Sequence, residues 1–269
     1  MNQSVYVFDV DGVLNNMDSH MPDGRTIAHM VTLLEQGMVI AINTGRSYEW
    51  IEENIIQDIR RTLQSPDPLN NLFIATEMGG IGIEFVNGVE RKVHSAFSML
   101  PDQIAKAREI FERHPDFVKR MRWYDGKESM ATVSKGLDID MDTFKADQRE
   151  LTAILQDAFA GQHVQVANST DAVDIHAPEA GKWAGAQLVY DWLNRTSNIK
   201  HDHFVCFGDS IVDYEMARYF AQQDENTIFV FTGPAFNGAT EDSNIKFIKT
   251  EQPYNKGTYQ YLEASSRIS

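Results

Sequence analysis

The stretch YVFDVDGVLNN, residues 6–16, ends an apolar run abruptly. Val5, Tyr6, Val7 and Phe8 read as a strand buried on both faces, and Asp9, Val10, Asp11 and Gly12 follow at once. Two carboxylates two residues apart point along the same side of an extended backbone. A glycine after them permits a sharp turn. A solvated turn or half of a calcium loop is the plain alternative. The calcium loop fails, because the segment runs into Val13 and Leu14 with no later spaced oxygens and no closing Glu.

Outward from this strand the pattern alternates. Ile27, Met30, Val31 and Leu34 mark one helix face, which Gly37 can end. MVIAIN (38–43) is a second apolar strand. Ser47 can cap a helix reaching about Leu63, which SPDPLN breaks, and LFIAT (72–76) is a third strand. Strands alternating with helices predict a parallel sheet covered on both faces. From about residue 81 the rhythm changes. Two strands flank Asn87-Gly88, a hairpin signal. Residues 96–177 then read helix-strand-strand twice: a helix from Pro101 to about His114, strands around Asp125-Gly126 within FVKRMRWYDGKESMATVS, a helix over about 141–160, and two strands in HVQVANSTDAVDIH. After Gly181 the earlier rhythm returns, with a helix over about 182–194, strands at 204–207 and 227–232, and a helix from near Ile211. The predicted fold is α/β: a Rossmann-like parallel-sheet core of residues 1–95 and 178–269, with residues 96–177 inserted as an α+β unit.

The totals exclude several classes of function. The 269 residues carry a net charge of −15, which argues against nucleic-acid or anionic-membrane partners. No apolar run is long enough to span a bilayer. MNQSVYVFDVDG lacks the basic start and long apolar stretch of a secretion signal, so the expected location is the cytoplasm. The single cysteine, Cys206, rules out an intramolecular disulfide and reads as a small core residue.

In open α/β sheets, ligands bind outside the carboxyl ends of the strands. Four such ends carry chemistry here: Asp9 and Asp11; Thr44, Gly45 and Arg46; Glu77 with Gly79 and Gly80; and Asp209 with Asp213. Lys182 opens the helix before the strand that ends at Asp209. Converging carboxylates need a cation, and an oxygen-only donor set favours Mg²⁺. A carboxylate can attack phosphorus, and a second one can protonate the leaving oxygen and later deprotonate water. Thr44 and the amides after it can hold phosphate oxygens, and Lys182 can balance the charge. Arg46 reads equally as an anion-steering residue or as an ion-pair partner. Glu77 reads as a substrate contact beside glycines that permit a hairpin. Trp183, Tyr190 and Leu193 read as core. His201 and His203 form His-x-His with no third nitrogen or sulfur ligand nearby, so they are expected to be exposed loop residues.

DVDGVL (9–14), NTGR (43–46), GKWAG (181–185) and GDSIVDYEM (208–216), in that order, resemble the haloacid dehalogenase superfamily of aspartate-nucleophile phosphatases. The inserted unit resembles the cap of trehalose-6-phosphate, sucrose-6-phosphate and mannosyl-3-phosphoglycerate phosphatases and of phosphomannomutases. VDIHAPEAGKWAG (173–185) resembles the stretch by which those chains re-enter the core. The resemblance implies Asp9 as nucleophile and Asp11 as general acid and base. It implies Mg²⁺ held by Asp9, the Asp11 carbonyl, Asp209 and Asp213, with Thr44 and Lys182 on the phosphate. It also implies a small phosphorylated substrate, its far end read by the cap. On the cap strands, Arg120 and Arg122 share a parity, as do Asp174 and His176. Arg120, Arg122, Lys135 and His176 are the candidate readers, and an outer, solvated face is the plain alternative for the two arginines. Two other functions share the core. A phosphomutase would use the same nucleophile, and RWYDGKESMATVSKG (122–136) resembles the phosphomannomutase hairpin, although NTGR is of the phosphatase type. A non-catalytic sugar-phosphate-binding protein would be expected to have lost part of the charged set.

Overall fold

The computed structural model describes residues 3–196, 201–223, 225–238 and 244–266. They form two compact units, one of Met1–Val93 with Gly181–Ser269 and one of His94–Ala180.

The first unit is built on an eight-stranded sheet. Its strands are β1 (Gln3–Phe8), β2 (Val39–Asn43), β3 (Leu72–Thr76), β4 (Ile81–Val86), β5 (Val89–His94), and later in the chain β10 (His201–Gly208), β11 (Asn226–Phe231) and β12 (Ile245–Lys249). The order is β12-β11-β10-β1-β2-β3-β4-β5. From β12 to β3 all pairs are parallel, and β4 turns antiparallel on β3. Asn87 and Gly88 both take positive φ in the turn joining β4 to β5, as Asn-Gly hairpins require. The chain leaves β1 toward β2 on one side and returns through β10 on the other. The reversal places a crevice at the carboxyl end of β1, between β1 and β10.

Two apolar layers cover this sheet because β1, β2, β3 and β10 are apolar at successive positions. One layer joins Phe8, Ile40, Ile42 and Phe207 to Met30 and Leu34 of α1 (Gly24–Glu35). The other joins Val5, Val7, Ala41 and Cys206 to Val189 and Trp192 of α7 (Lys182–Arg195) and to Met216 and Phe220 of α8 (Ile211–Gln222). The helix capped by Ser47 runs through α2 (Tyr48–Ile51), a π-helical stretch (Glu52–Ile56) and α3 (Gln57–Thr62). A last helix, α9 (Tyr254–Ser266), follows β12. Among the described residues no helix is long and apolar enough to cross a membrane.

The second unit has a four-stranded antiparallel sheet of β6 (Met121–Trp123), β7 (Ala131–Lys135), β8 (Gln165–Asn168) and β9 (Ala172–His176), in the order β6-β7-β9-β8. Helices α4 (Pro101–Glu112), α5 (Pro115–Arg120) and α6 (Met141–Ala158) share one apolar core with one face of it. Ala131, Val133, Val173 and Ile175 point into that core. Thr132 and Asp174, alternating with them, lie on the opposite face, where the register pairs them.

Two expectations fail here. FVKRMRW is not a strand up to its last three residues, because Pro115 at the first turn starts α5 and Phe117 buries as a helical residue. The histidines are not in a loop. His201 and His203 begin β10, where the His201 side chain is only 12% exposed and faces Glu225, and His203 meets the hydroxyl of Ser4 at 2.8 Å.

Candidate active site

The β1–β10 ladder extends one residue past β1, since the Asp9 N–H donates to the Phe207 carbonyl at 3.1 Å. The chain then folds tightly on itself. The N–H groups of Val13, Leu14 and Asn15 converge on the Val10 carbonyl at 3.3, 2.9 and 3.0 Å. Gly12 sits at the centre of this turn with φ +73°, and a Cβ there would run into the Asp209 carboxylate. Glycine thus serves twice, for the turn and for the close approach of an acid from the next strand over. Thr232, just past β11, ties the loop down by donating to the Gly12 carbonyl at 2.9 Å.

Among the described residues, Asp9, Asp209 and Asp213 each place a carboxylate oxygen within 4.8 Å of the others. Lys182 is the local cation. Its Nζ donates to Asp9 Oδ1, to Asp213 Oδ1 at 2.9 Å and to the Asn43 carbonyl at 2.7 Å, which uses its three protons. The other Asp213 oxygen accepts from the Ser210 hydroxyl at 2.6 Å and from the backbone N–H groups of Asp209 and Ser210. Asp213 therefore braces both Lys182 and the Asp209 loop, and Ser210 caps α8 in return.

The electrostatics show a site short of positive charge. Burial pushes the Asp9 carboxyl up, Lys182 pulls it down, Asp213 and Asp11 push it up again, and the balance stands at about 8. Burial, then Asp213, lifts Asp209 to about 7. Burial works against the Lys182 charge, but Asp213 and Asp9 outweigh it and hold the ammonium well above its usual range. Two carboxylates that resist ionisation beside an oxygen-only donor set suit a hard divalent cation, which would restore their charged forms. The residues present thus fit Mg²⁺.

Motif by motif, the strand ends do assemble. Thr44 is buried beside them. Its hydroxyl accepts from the Arg46 N–H at 3.2 Å and keeps its own proton to donate, while Ser47 caps the helix. Gly45 lies between Thr44 and Arg46, with the Met78 side chain beyond it. Glu77 is buried, and its N–H donates to the Arg46 carbonyl at 3.0 Å. Glu77 and Met78 both take left-handed φ, 52° and 59°, a strained pair that stitches this loop to α7 through the Gly181 N–H on the Met78 carbonyl at 2.7 Å. Of the two readings of Arg46, the structure shows the ion pair. Its guanidinium clasps Asp11, Nε to Oδ2 at 2.9 Å and Nη2 to Oδ1 at 2.6 Å. Burial works to raise Asp11, but Arg46 outweighs it and holds the carboxyl below its usual range.

Sequence reasoning missed Asn15 and Asn43. Asn15 is buried and donates to Asp11 Oδ1 at 3.0 Å. Asn43 is fully buried, and Gly185 leaves room for it, since a Cβ at 185 would occupy its amide. A polar residue ending the apolar strand β2 was the available signal.

In the second unit the candidates separate. Arg120 is the last residue of α5 and pairs with buried Asp147 of α6 at 2.6 Å, on the helix side. Lys135 shares the parity of Val133, and its ammonium holds the Gly136 and Ile139 carbonyls at 3.0 and 2.7 Å. Neither stands on the face of Asp174. Arg122, paired in register with Ser134, does share that face. There Thr132 donates to Asp174 Oδ1 at 2.6 Å and accepts from Lys127 at 2.7 Å. His176 is buried on the same parity as Asp174, with Nδ1 2.8 Å from the Ala177 carbonyl.

No family profile and no curated relative matches the sequence. Solved structures do match. A haloacid dehalogenase-like hydrolase from Bacteroides thetaiotaomicron aligns over 100% of both chains at 13% identity and TM-score 0.68. The C-terminal domain of trehalose-6-phosphate phosphatase from C. albicans aligns over 98% of this chain and 91% of its own at 14% identity and TM-score 0.70. Trehalose-6-phosphate phosphatase from Aspergillus fumigatus aligns over 100% and 94% at 15% identity and TM-score 0.57. With a parallel sheet, an inserted α+β unit and carboxylates at the switch point, the chain has the fold of the haloacid dehalogenase-like hydrolases.

Proposed function

We propose that this protein is a Mg²⁺-dependent phosphomonoesterase that hydrolyses a sugar phosphate through an aspartyl-phosphate on Asp9. The observation that carries the proposal is the buried Asp9 carboxylate, clasped by Lys182 and grouped with Asp209 and Asp213 at the carboxyl end of β1. Asp9 uses one oxygen on Lys182, which leaves the other for attack.

In the first half-reaction an Asp9 oxygen forms a bond to phosphorus, and the bond from phosphorus to the leaving oxygen breaks. The electron pair goes to that oxygen, which takes a proton from Asp11, whose acid form the negative charge of the bound phosphate favours against the pull of Arg46. In the second, a water oxygen bonds to phosphorus, Asp11 takes the water's proton, and the Asp9–phosphorus bond breaks to restore the carboxylate. Thr44 donates its hydroxyl to a phosphoryl oxygen, and Lys182 holds the charge of the nucleophile. Asp9, the Asp11 carbonyl and Asp209 would hold Mg²⁺, with Asp213 acting through its brace on the Asp209 loop. When bound, the metal supplies charge stabilisation on the phosphoryl oxygens. The inserted unit reads the rest of the substrate, through the polar face that carries Arg122, Lys127, Thr132, Asp174 and His176.

The test is phosphate release from a panel of sugar phosphates with Mg²⁺, with and without excess chelator. Trehalose 6-phosphate belongs in the panel because two of the aligned structures are phosphatases named for it. Release that needs Mg²⁺ and disappears in Asp9→Asn supports the proposal. Full activity in chelator overturns it. Interconversion of hexose 1- and 6-phosphates with little phosphate released assigns the chain to phosphomutase chemistry.

A further inference from the structure

Asp11 is half-exposed, with 53% of its side chain open to solvent, and a carboxylate so placed ordinarily rotates. This one is pinned from two sides. Arg46 forks onto both oxygens, and Asn15 donates a third hydrogen bond to Oδ1. Arg46 is itself held by the Trp50 ring and by its own N–H and carbonyl contacts. Its guanidinium lies 3.8 Å over the Trp50 ring, its N–H binds the Thr44 hydroxyl, and its carbonyl accepts from Glu77. Only 25% of its side chain is exposed. Exposed ion pairs of one contact contribute little and are often incidental, but a bidentate fork seated on an indole is a fixed geometry.

We infer that Arg46 is a positioning residue that aims Asp11 at the leaving group, and that Oδ2 of Asp11 is the oxygen that exchanges the proton. This rests on the phosphatase reading above. A carboxylate offers about four acceptor sites on its two oxygens. Oδ1 is filled by Arg46 Nη2 and Asn15 Nδ2, and Oδ2 accepts only Arg46 Nε. One site is left, and it belongs to Oδ2. As the bond from phosphorus to the leaving oxygen breaks, that oxygen collects the electron pair and a proton from Oδ2. An alkoxide-like sugar oxygen needs the proton. A nitrophenolate does not.

The experiment compares kcat/KM on the best sugar phosphate with kcat/KM on 4-nitrophenyl phosphate, for Asp11→Asn, Arg46→Lys and Trp50→Leu. kcat/KM reports the first half-reaction, where the leaving group departs. Asp11→Asn sets the scale, with a loss of about 100-fold or more on the sugar phosphate and far less on the aryl phosphate. Arg46→Lys, which keeps the charge and loses the fork, is expected to lose about 10- to 100-fold on the sugar phosphate, mostly in kcat, and less than about threefold on the aryl phosphate. Trp50→Leu, which removes the seat and leaves both partners, is expected to follow the same pattern more weakly. Inhibition by inorganic phosphate should stay unchanged in both. The double variant Asp11→Asn/Arg46→Lys should be no worse on the sugar phosphate than Asp11→Asn alone.

Equal losses on both substrates with weaker phosphate inhibition would make Arg46 a phosphate-binding residue and overturn the inference. So would an Arg46→Lys enzyme with unchanged kinetics. Either result leaves the phosphatase reading intact if Asp11→Asn still discriminates between the substrates. If Asp11→Asn does not discriminate and Asp9→Asn remains active, the phosphatase reading itself has failed.

Discussion

Asn43 and Lys182 are tied to each other twice. The Asn43 amide donates to the Lys182 carbonyl at 2.7 Å, and the Lys182 ammonium donates to the Asn43 carbonyl at 2.7 Å. The end of β2 therefore sets both where α7 begins and where its first side chain points. Asn43→Leu would take the side-chain donor from the Lys182 carbonyl and leave it only its helical partner, at a cost of about 0.5–1.5 kcal/mol. Gly185→Ala would drive a methyl group into the same amide. Both variants should unfold at lower denaturant than the parent, by chemical melts followed by far-UV circular dichroism, and both should lose activity because Lys182 shifts.

Asp9→Asn keeps the shape of the side chain and removes both the proposed nucleophile and one of the clustered charges. Turnover should fall below detection while the metal-free protein melts at the same temperature or higher, since burial, Asp213 and Asp11 all oppose ionisation of Asp9. Retained turnover on a good substrate would contradict the aspartyl-phosphate.

Lys182→Met should do the opposite to stability. It leaves Asp9 and Asp213 buried beside each other without their cation, and losing one partner of a buried pair costs about 3–5 kcal/mol. Part of that loss should be recovered in the double variant Lys182→Met/Asp9→Asn, and a melt of the two variants side by side measures it.

The metal-free protein should be less stable at pH 8 than at pH 5. Asp9 and Asp209 are raised to about 8 and about 7, so across this window the folded state holds protons that the unfolded chain has already released. Stability then falls as pH rises from about 4, the ordinary carboxylate range, through these two values. Mg²⁺ should raise the melting temperature more at pH 8 than at pH 5, because it binds the ionised forms. A melting temperature that climbs with pH in chelator would refute the assignment.

In the inserted unit, Arg120→Ala and Lys135→Ala should leave kcat/KM within about twofold on any sugar phosphate, because both side chains are spent on the helix-side scaffold. Asp174→Asn should lower it about tenfold or more on the best sugar phosphate and spare 4-nitrophenyl phosphate. The reverse result would move substrate reading off this face.

The strand phases, the Asn87-Gly88 hairpin and the polar groups at Asp9, Thr44, Lys182 and Asp209 as one candidate site were all readable in the chain itself. Each is a local pattern: an apolar run of strand length, a residue type suited to positive φ, or a polar group where such a run stops. Local pattern also misled, since FVKRMRW looks extended until Phe117 is seen to bury as part of a helix that Pro115 begins. Partnership was a different matter. Arg46 meets Asp11 across 35 positions, Asn43 meets Lys182 across 139, and Thr232 meets Gly12 across 220. Residue type states only what each group can donate or accept. Which group it finds is decided where the strand order reverses beside β1 and brings strand ends from distant parts of the chain within hydrogen-bonding reach, because a buried donor left unpaired there would cost more than the order needed to pair it.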